Sequence, residues 1–172
     1  MLYATIGILI IFFIILIIKI YTPIVQKKKL KTSLIEYLKK SNMTYVESSS
    51  KELYDLKIIT DDKTFYVKFV IIPSYSEIQI NNQSTWEVKY GAGDKVGKVQ
   101  PHKRYLSEII SFMRNDFEEN CQKIVIFSPT PKKIVKYLNE NEIDFVTSNT
   151  DVYGARITSI GKYDLFKNKK WE

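Results

Sequence analysis

The chain opens with a segment that water cannot solvate. Residues 2–18 carry no charged side chain, and Ile, Leu and Phe occupy them almost without interruption. Apolar residues on every face exclude an ordinary surface helix. Lys19 is the first charge, and apolar character resumes at Ile20, Tyr21, Pro23, Ile24 and Val25. A bilayer core needs about 20 apolar residues. Lys19 can reach the interface on its alkyl stem, which extends the predicted transmembrane helix to about Tyr21. Tyr3 and Tyr21 then stand where interfacial aromatics are expected. A cleaved signal sequence would start with a basic residue and end in a small-x-small site, and neither pattern is found here. Residues 2–21 are therefore the expected lipid contact.

Lys27, Lys28, Lys29 and Lys31 follow this segment, and no basic side chain precedes it. Positive flanks stay inside, so the expectation is a single-pass protein with its N-terminus outside and its C-terminal domain in the cytoplasm. The same four lysines are candidates for contact with anionic headgroups. Three segments result: residues 1–26 as anchor and flank, 27–166 as one folded domain, and 167–172 as a basic tail. The 172-residue chain is 45% hydrophobic, which excludes general disorder for the domain. One cysteine, Cys121, and one histidine, His102, exclude an intramolecular disulfide and a His/Cys metal cage. The net charge of +7 admits nucleic acid as a partner, but it comes almost wholly from lysine. Arginine, the residue that reads bases through bidentate contacts, occurs only at 104, 114 and 156.

Within the domain, Leu30, Leu34, Ile35 and Leu38 share one face of a predicted helix over residues 30–40. Residues 53–60 and 64–72 read as a hairpin around Asp61-Asp62-Lys63, with Phe65, Val67, Phe69 and Ile71 on one face. Residues 77–80 and 85–90 read as a second pair around Asn81-Asn82. Gly91, Gly93, Gly97 and Pro101 mark a loop. A helix is predicted over 105–117, and a buried strand of the parallel type over 123–127. Thr130-Pro131 would cap a further helix reaching about residue 140. Strands over 143–147 and 155–160 complete the pattern. The expected class is α/β, with one mixed sheet in the order α-β-β-(β-β)-α-β-α-β. Strand, helix and strand at its end would form a right-handed parallel crossover.

Glu87-Val88-Lys89 is the constellation closest to chemistry. On a strand, residues i and i+2 face one side, so this carboxylate and ammonium converge. A metal-dependent nuclease uses such a pair, with the carboxylate on Mg²⁺ and the lysine near the attacked phosphate. The second acid would come from Asp55, Asp62 or Glu77. Motif and element order together resemble the PD-(D/E)XK, or restriction-endonuclease-like, superfamily over about residues 30–150. That resemblance implies a site of Glu87 and Lys89 with Asp62, Glu87 and Asp62 holding the metal. The alternative placement implies Asp55 and Lys68, but Tyr66 then occupies the family's acid position, which implies a degenerate, non-catalytic copy. The expectation is a non-catalytic binding or interaction domain without a cofactor, whose partner is nucleic acid or a membrane protein. The alternative is a membrane-tethered, Mg²⁺-dependent nuclease.

The remaining signals are bland. Gly91-Ala92-Gly93 lacks the Gly-Lys-Ser/Thr of a phosphate loop. His102 reads as a solvated loop residue that could touch phosphate, and Cys121 as inert core edge. Trp86, Tyr66, Tyr75 and Tyr90 would stack bases if exposed, but large aromatics favour the core.

Overall fold

The computed structural model describes residues 2–49, 52–91, 102–139, 142–148, 150–159 and 166. The glycine loop over 92–101 and the basic tail over 167–172 lie outside the described residues, as do the predicted end of the last helix at 140 and of the last strand at 160.

Helix α1 spans Leu2–Lys40 without a break. Its 39 residues correspond to about 58 Å, which exceeds an apolar bilayer core of about 30 Å. One helix thus contains both the apolar segment and the helix predicted over 30–40, and the predicted boundary at 26/27 falls inside it. Its N-terminal half is long and apolar enough to cross a membrane, and none of the candidate spanning window is buried by the rest of the chain. Its C-terminal half buries Leu30, Leu34 and Leu38. Two ion pairs tie that half down: Lys27 Nζ to Asp55 Oδ1 at 2.7 Å and Lys31 Nζ to Glu47 Oε2 at 2.8 Å.

The remaining elements are β1 (Thr44–Glu47), β2 (Leu56–Ile59), β3 (Thr64–Ile71), β4 (Glu77–Asn82), β5 (Thr85–Tyr90), β6 (His102–Tyr105), α2 (Ser107–Arg114), β7 (Cys121–Ser128), β8 (Lys133–Tyr137), β9 (Ile143–Phe145), β10 (Asp151–Val152) and β11 (Ala155–Ser159). They form two sheets. One has six strands in the order β1-β2-β3-β7-β11-β10, and the other five in the order β6-β5-β4-β8-β9. Both hairpins read from the turn signals are present, as β2–β3 and β4–β5.

Three layers follow from the burial pattern. The α1 side of the six-stranded sheet packs Leu56, Ile58, Phe65, Val67, Phe69, Ile124 and Ile126 against Leu30, Leu34 and Leu38. Its other side packs Tyr66, Val70, Val125, Phe127 and Ile157 against Ile78, Ile80, Trp86 and Val88 of the five-stranded sheet, with α2 joining this core. Strands β3 and β7 are therefore covered on both faces, which explains their nearly continuous apolar sequences. Buried Lys123 donates to the Met113 carbonyl at 2.7 Å and so satisfies an end group of α2.

Four expectations need correction. The helix predicted from Pro131 is strand β8, paired in parallel with β4 from Glu77↔Lys133 to Ile80↔Lys136. Ile134, Val135 and Leu138 suit a helical face, but short apolar runs are ambiguous in period and β-branched residues accept a strand where an edge needs a partner. The predicted crossover consequently does not form: β7 pairs in parallel with β3 and β11, while β9 is antiparallel to β8 in the other sheet. The single mixed sheet is two sheets. The helix over 105–117 is the shorter α2, because Tyr105 belongs to β6, an edge strand where the sequence pattern predicts a loop up to residue 104.

Candidate functional site

Alternation decides which side chains the five-stranded sheet offers to its surroundings. Ile78, Ile80, Trp86 and Val88 point into the core. Glu77, Gln79, Glu87 and Lys89 consequently share the opposite face, and directly paired residues on neighbouring strands join them there. Register builds two rows across this face. Lys103, Lys89, Glu77 and Lys133 make a charged row. Tyr105, Glu87, Gln79, Val135 and Phe145 make a mixed row beside it. Ile143, opposite Tyr137, extends the apolar end.

Among the described residues no helix or further sheet packs over these rows, and of their members only Val135 is buried. Tyr105 is 64% exposed, Phe145 60% and Ile143 49%, which is unusual for large apolar side chains on one sheet. Glu77 Oε2 pairs with Lys133 Nζ at 3.2 Å. Three lysines and two glutamates make the charged part nearly neutral. The surface is therefore mixed, apolar at the β9 and β6 edges and charge-paired in the middle.

The sequence-predicted residues divide between the sheets. Glu87 and Lys89 do share a face, with Glu77 directly opposite Lys89. Asp62 lies in the exposed β2–β3 turn of the other sheet, and Glu87 faces away from that sheet. These two acids are not brought together. Among the described residues, no group of three or more His, Cys, Asp or Glu side chains is placed to hold a metal ion.

The Asp55 and Lys68 alternative does converge. Asp55 Oδ1 takes Lys27, and Oδ2 accepts the Phe69 backbone N–H at 2.8 Å. The second contact extends the β3 ladder one step beyond the start of β2. Lys68 donates to the Leu53 carbonyl at 2.7 Å. Burial holds the Lys68 ammonium below its ordinary pKa, against the attraction of Asp55. At the remaining family position, Tyr66 is buried and stacks on Phe117 at 4.1 Å between centroids.

His102 is not a loop residue but the first residue of β6. Its ring stands 5.5 Å from that of Tyr90. It also stands over Gly91, where an added Cβ would come within 3.0 Å of His102 Cδ2 and the exposed ring would have to give; the φ of +84° is what favours glycine there. Burial raises the pKa of the Cys121 thiol, as suits an unreactive cysteine. Trp86 and Tyr66 belong to the core, whereas Tyr75 is 86% exposed at φ 58°. Two of the predicted lysine contacts, Lys27 and Lys31, are engaged within the chain.

Sequence reasoning missed Tyr105, Ile143 and Phe145. The spacing of Ile143 and Phe145 put them on one face of the predicted strand, but nothing local says whether that face meets core or solvent. Comparison with protein families, curated proteins and solved structures finds no match for this chain.

Proposed function

We propose that the chain is a single-pass membrane protein whose α/β domain is a non-catalytic docking module. It is held on the cytoplasmic side and offers the open face of its five-stranded sheet to a protein partner in the same membrane. The observation that carries this reading is the continuity of α1. One helix is apolar through its first half and part of the core in its second, so the open sheet face keeps a fixed attitude to the anchor. A nearly neutral, partly aromatic face favours a protein over nucleic acid, because phosphate recognition calls for a basic surface. Lys28 and Lys29 support the cytoplasmic orientation.

The order of helices and strands from α1 to β7 is what supports the PD-(D/E)XK resemblance, and strand β8 stands where the resemblance implies a helix. No catalytic site is carried over, since Tyr66 fills the acid position between Asp55 and Lys68. The rival reading, a Mg²⁺-dependent nuclease, is favoured by Glu77, Glu87 and Lys89 sharing one face. Against it stand the Glu77–Lys133 pair and the remoteness of Asp62.

Photo-crosslinking in native membranes tests the docking reading. A crosslinker at Phe145 or Tyr105 should give one discrete protein adduct, and a crosslinker at Ser33, on α1, none. Equal adducts at all three positions, or none anywhere, would sink it. Thiol labelling of Ser33→Cys in a Cys121→Ser background should require permeabilised membranes, and labelling of intact cells would reverse the orientation. Nucleic-acid cleavage by the full chain with Mg²⁺, lost in Lys89→Ala and kept in Lys68→Ala, would instead establish the nuclease.

A further inference from the structure

A cleft of about 720 Å³ opens where α1 leaves the domain. One wall is α1 from Ile18 to Lys27, and the other is the end of β3 from Phe69 to Ile71 with the loop from Ile72 through Ser74. Arg104 and Glu108 close its side. Its height above the membrane follows from the helix. If residues 2–21 fill the apolar core, the next turns of α1 cross the headgroup layer, which adds about 5–8 Å on each side of the bilayer. The cleft spans that level and the last turn of the apolar core, where Ile18 and Lys19 stand.

Its chemistry suits one kind of occupant. Ile18, Ile24 and Ile71 supply apolar wall beside three cations, Lys19, Lys27 and Arg104. Lys27 is taken by Asp55. Lys19 has no ion-pair partner among the described residues. Arg104 meets Glu108 only at 3.7 Å, with the side chains 45% and 36% exposed, and also reaches the Ile71 carbonyl at 3.4 Å. A pair that open is weak and leaves the guanidinium available to a stronger anion. The Ser74 loop also carries exposed Tyr75, the type of side chain that sits at a lipid interface.

We propose that this cleft binds the phosphate of an anionic phospholipid between Lys19 and Arg104, with an acyl chain against the apolar wall of α1. The occupant is a lipid and not free phosphate because the apolar wall leads directly into the membrane-compatible half of the helix. This inference rests on the membrane-anchored reading.

The full chain is reconstituted in phosphatidylcholine vesicles containing phosphatidylglycerol, and bound lipid is then read by native mass spectrometry. Wild type should retain one phosphatidylglycerol in preference to phosphatidylcholine. Lys19→Gln with Arg104→Gln should weaken that retention roughly 30-fold, the effect of two cations at a lipid surface. Lys28→Gln with Lys29→Gln, on another face of α1, should leave it unchanged, and Glu108→Gln should strengthen it. Equal losses in both double variants, a loss in Glu108→Gln, no lipid preference in wild type, or displacement of the lipid by inorganic phosphate would each overturn the proposal. Thermal melts confirm that the variants are folded. Alkaline carbonate washing scores the anchor separately: chain lost to the wash defeats the membrane reading itself, whereas chain retained without lipid preference defeats only the cleft.

Discussion

The two sheets share one core but meet their surroundings differently. Strands β3 and β7 of the six-stranded sheet have α1 on one side and the five-stranded sheet on the other. The five-stranded sheet is covered on one face only, and Tyr105, Ile143 and Phe145 remain exposed on the other. The first arrangement is a stability element. The second keeps apolar surface that folding has not consumed, as expected where a surface serves recognition.

Substitutions can break or sharpen this contrast. The largest loss is expected for Phe69→Ala, which empties the layer between α1 and the six-stranded sheet: about 3–5 kcal/mol in denaturant melts of the full chain in detergent. Leu34→Ala removes the facing side chain and should cost about 2–5 kcal/mol. If both cost under 1 kcal/mol, α1 is not part of the core. A smaller, pH-dependent effect belongs to Lys57 and Glu118, whose Nζ–Oε1 distance is 2.8 Å. The Lys57 ammonium holds the Glu118 carboxyl below its ordinary value of 4.5. A depressed carboxyl contributes stability above the unfolded pKa and loses it as pH falls through the folded one. Wild type should therefore exceed Glu118→Gln at pH 7, and the gap should close below about pH 4.5, which melts across that range would detect. The smallest effect is expected for Phe145→Ser on the open face, within about 0.5 kcal/mol, since its side chain is 60% exposed. A loss above 2 kcal/mol would make that face structural and erase the contrast.

Legibility in the sequence followed the same division. Phe65, Val67, Phe69 and Ile71 alternate so plainly that β3 and its inward face could be read directly. The run from Ile124 to Phe127 announced a strand buried on both sides. Residues 133–137 could not be read this way, because Ile134 and Val135 fit a helix or a strand, and pairing with β4 settled the matter. For the candidate site, the i, i+2 spacing of Glu87 and Lys89 on one strand suffices to put them on one face. Asp62 was not legible as remote, since its distance from Glu87 depends on a division into two sheets that no local pattern encodes. Asp55 and Lys68 were seen as a pair, but the part Lys27 plays there required α1 to pass beside them.

What the sequence determined by itself is whatever short-range solvation and turn chemistry decide. An all-round apolar helix belongs out of water, Asp61-Asp62-Lys63 and Asn81-Asn82 turn the chain, and continuous or alternating apolar runs prefer particular burial. The tertiary structure alone decided that the apolar segment and the core helix are one element, that β8 is a strand, and which sheet face stays open. Each of those outcomes is a competition among distant segments for the same hydrogen-bonding edge or apolar surface. The energies involved belong to pairs of segments and so have no signature in either one alone.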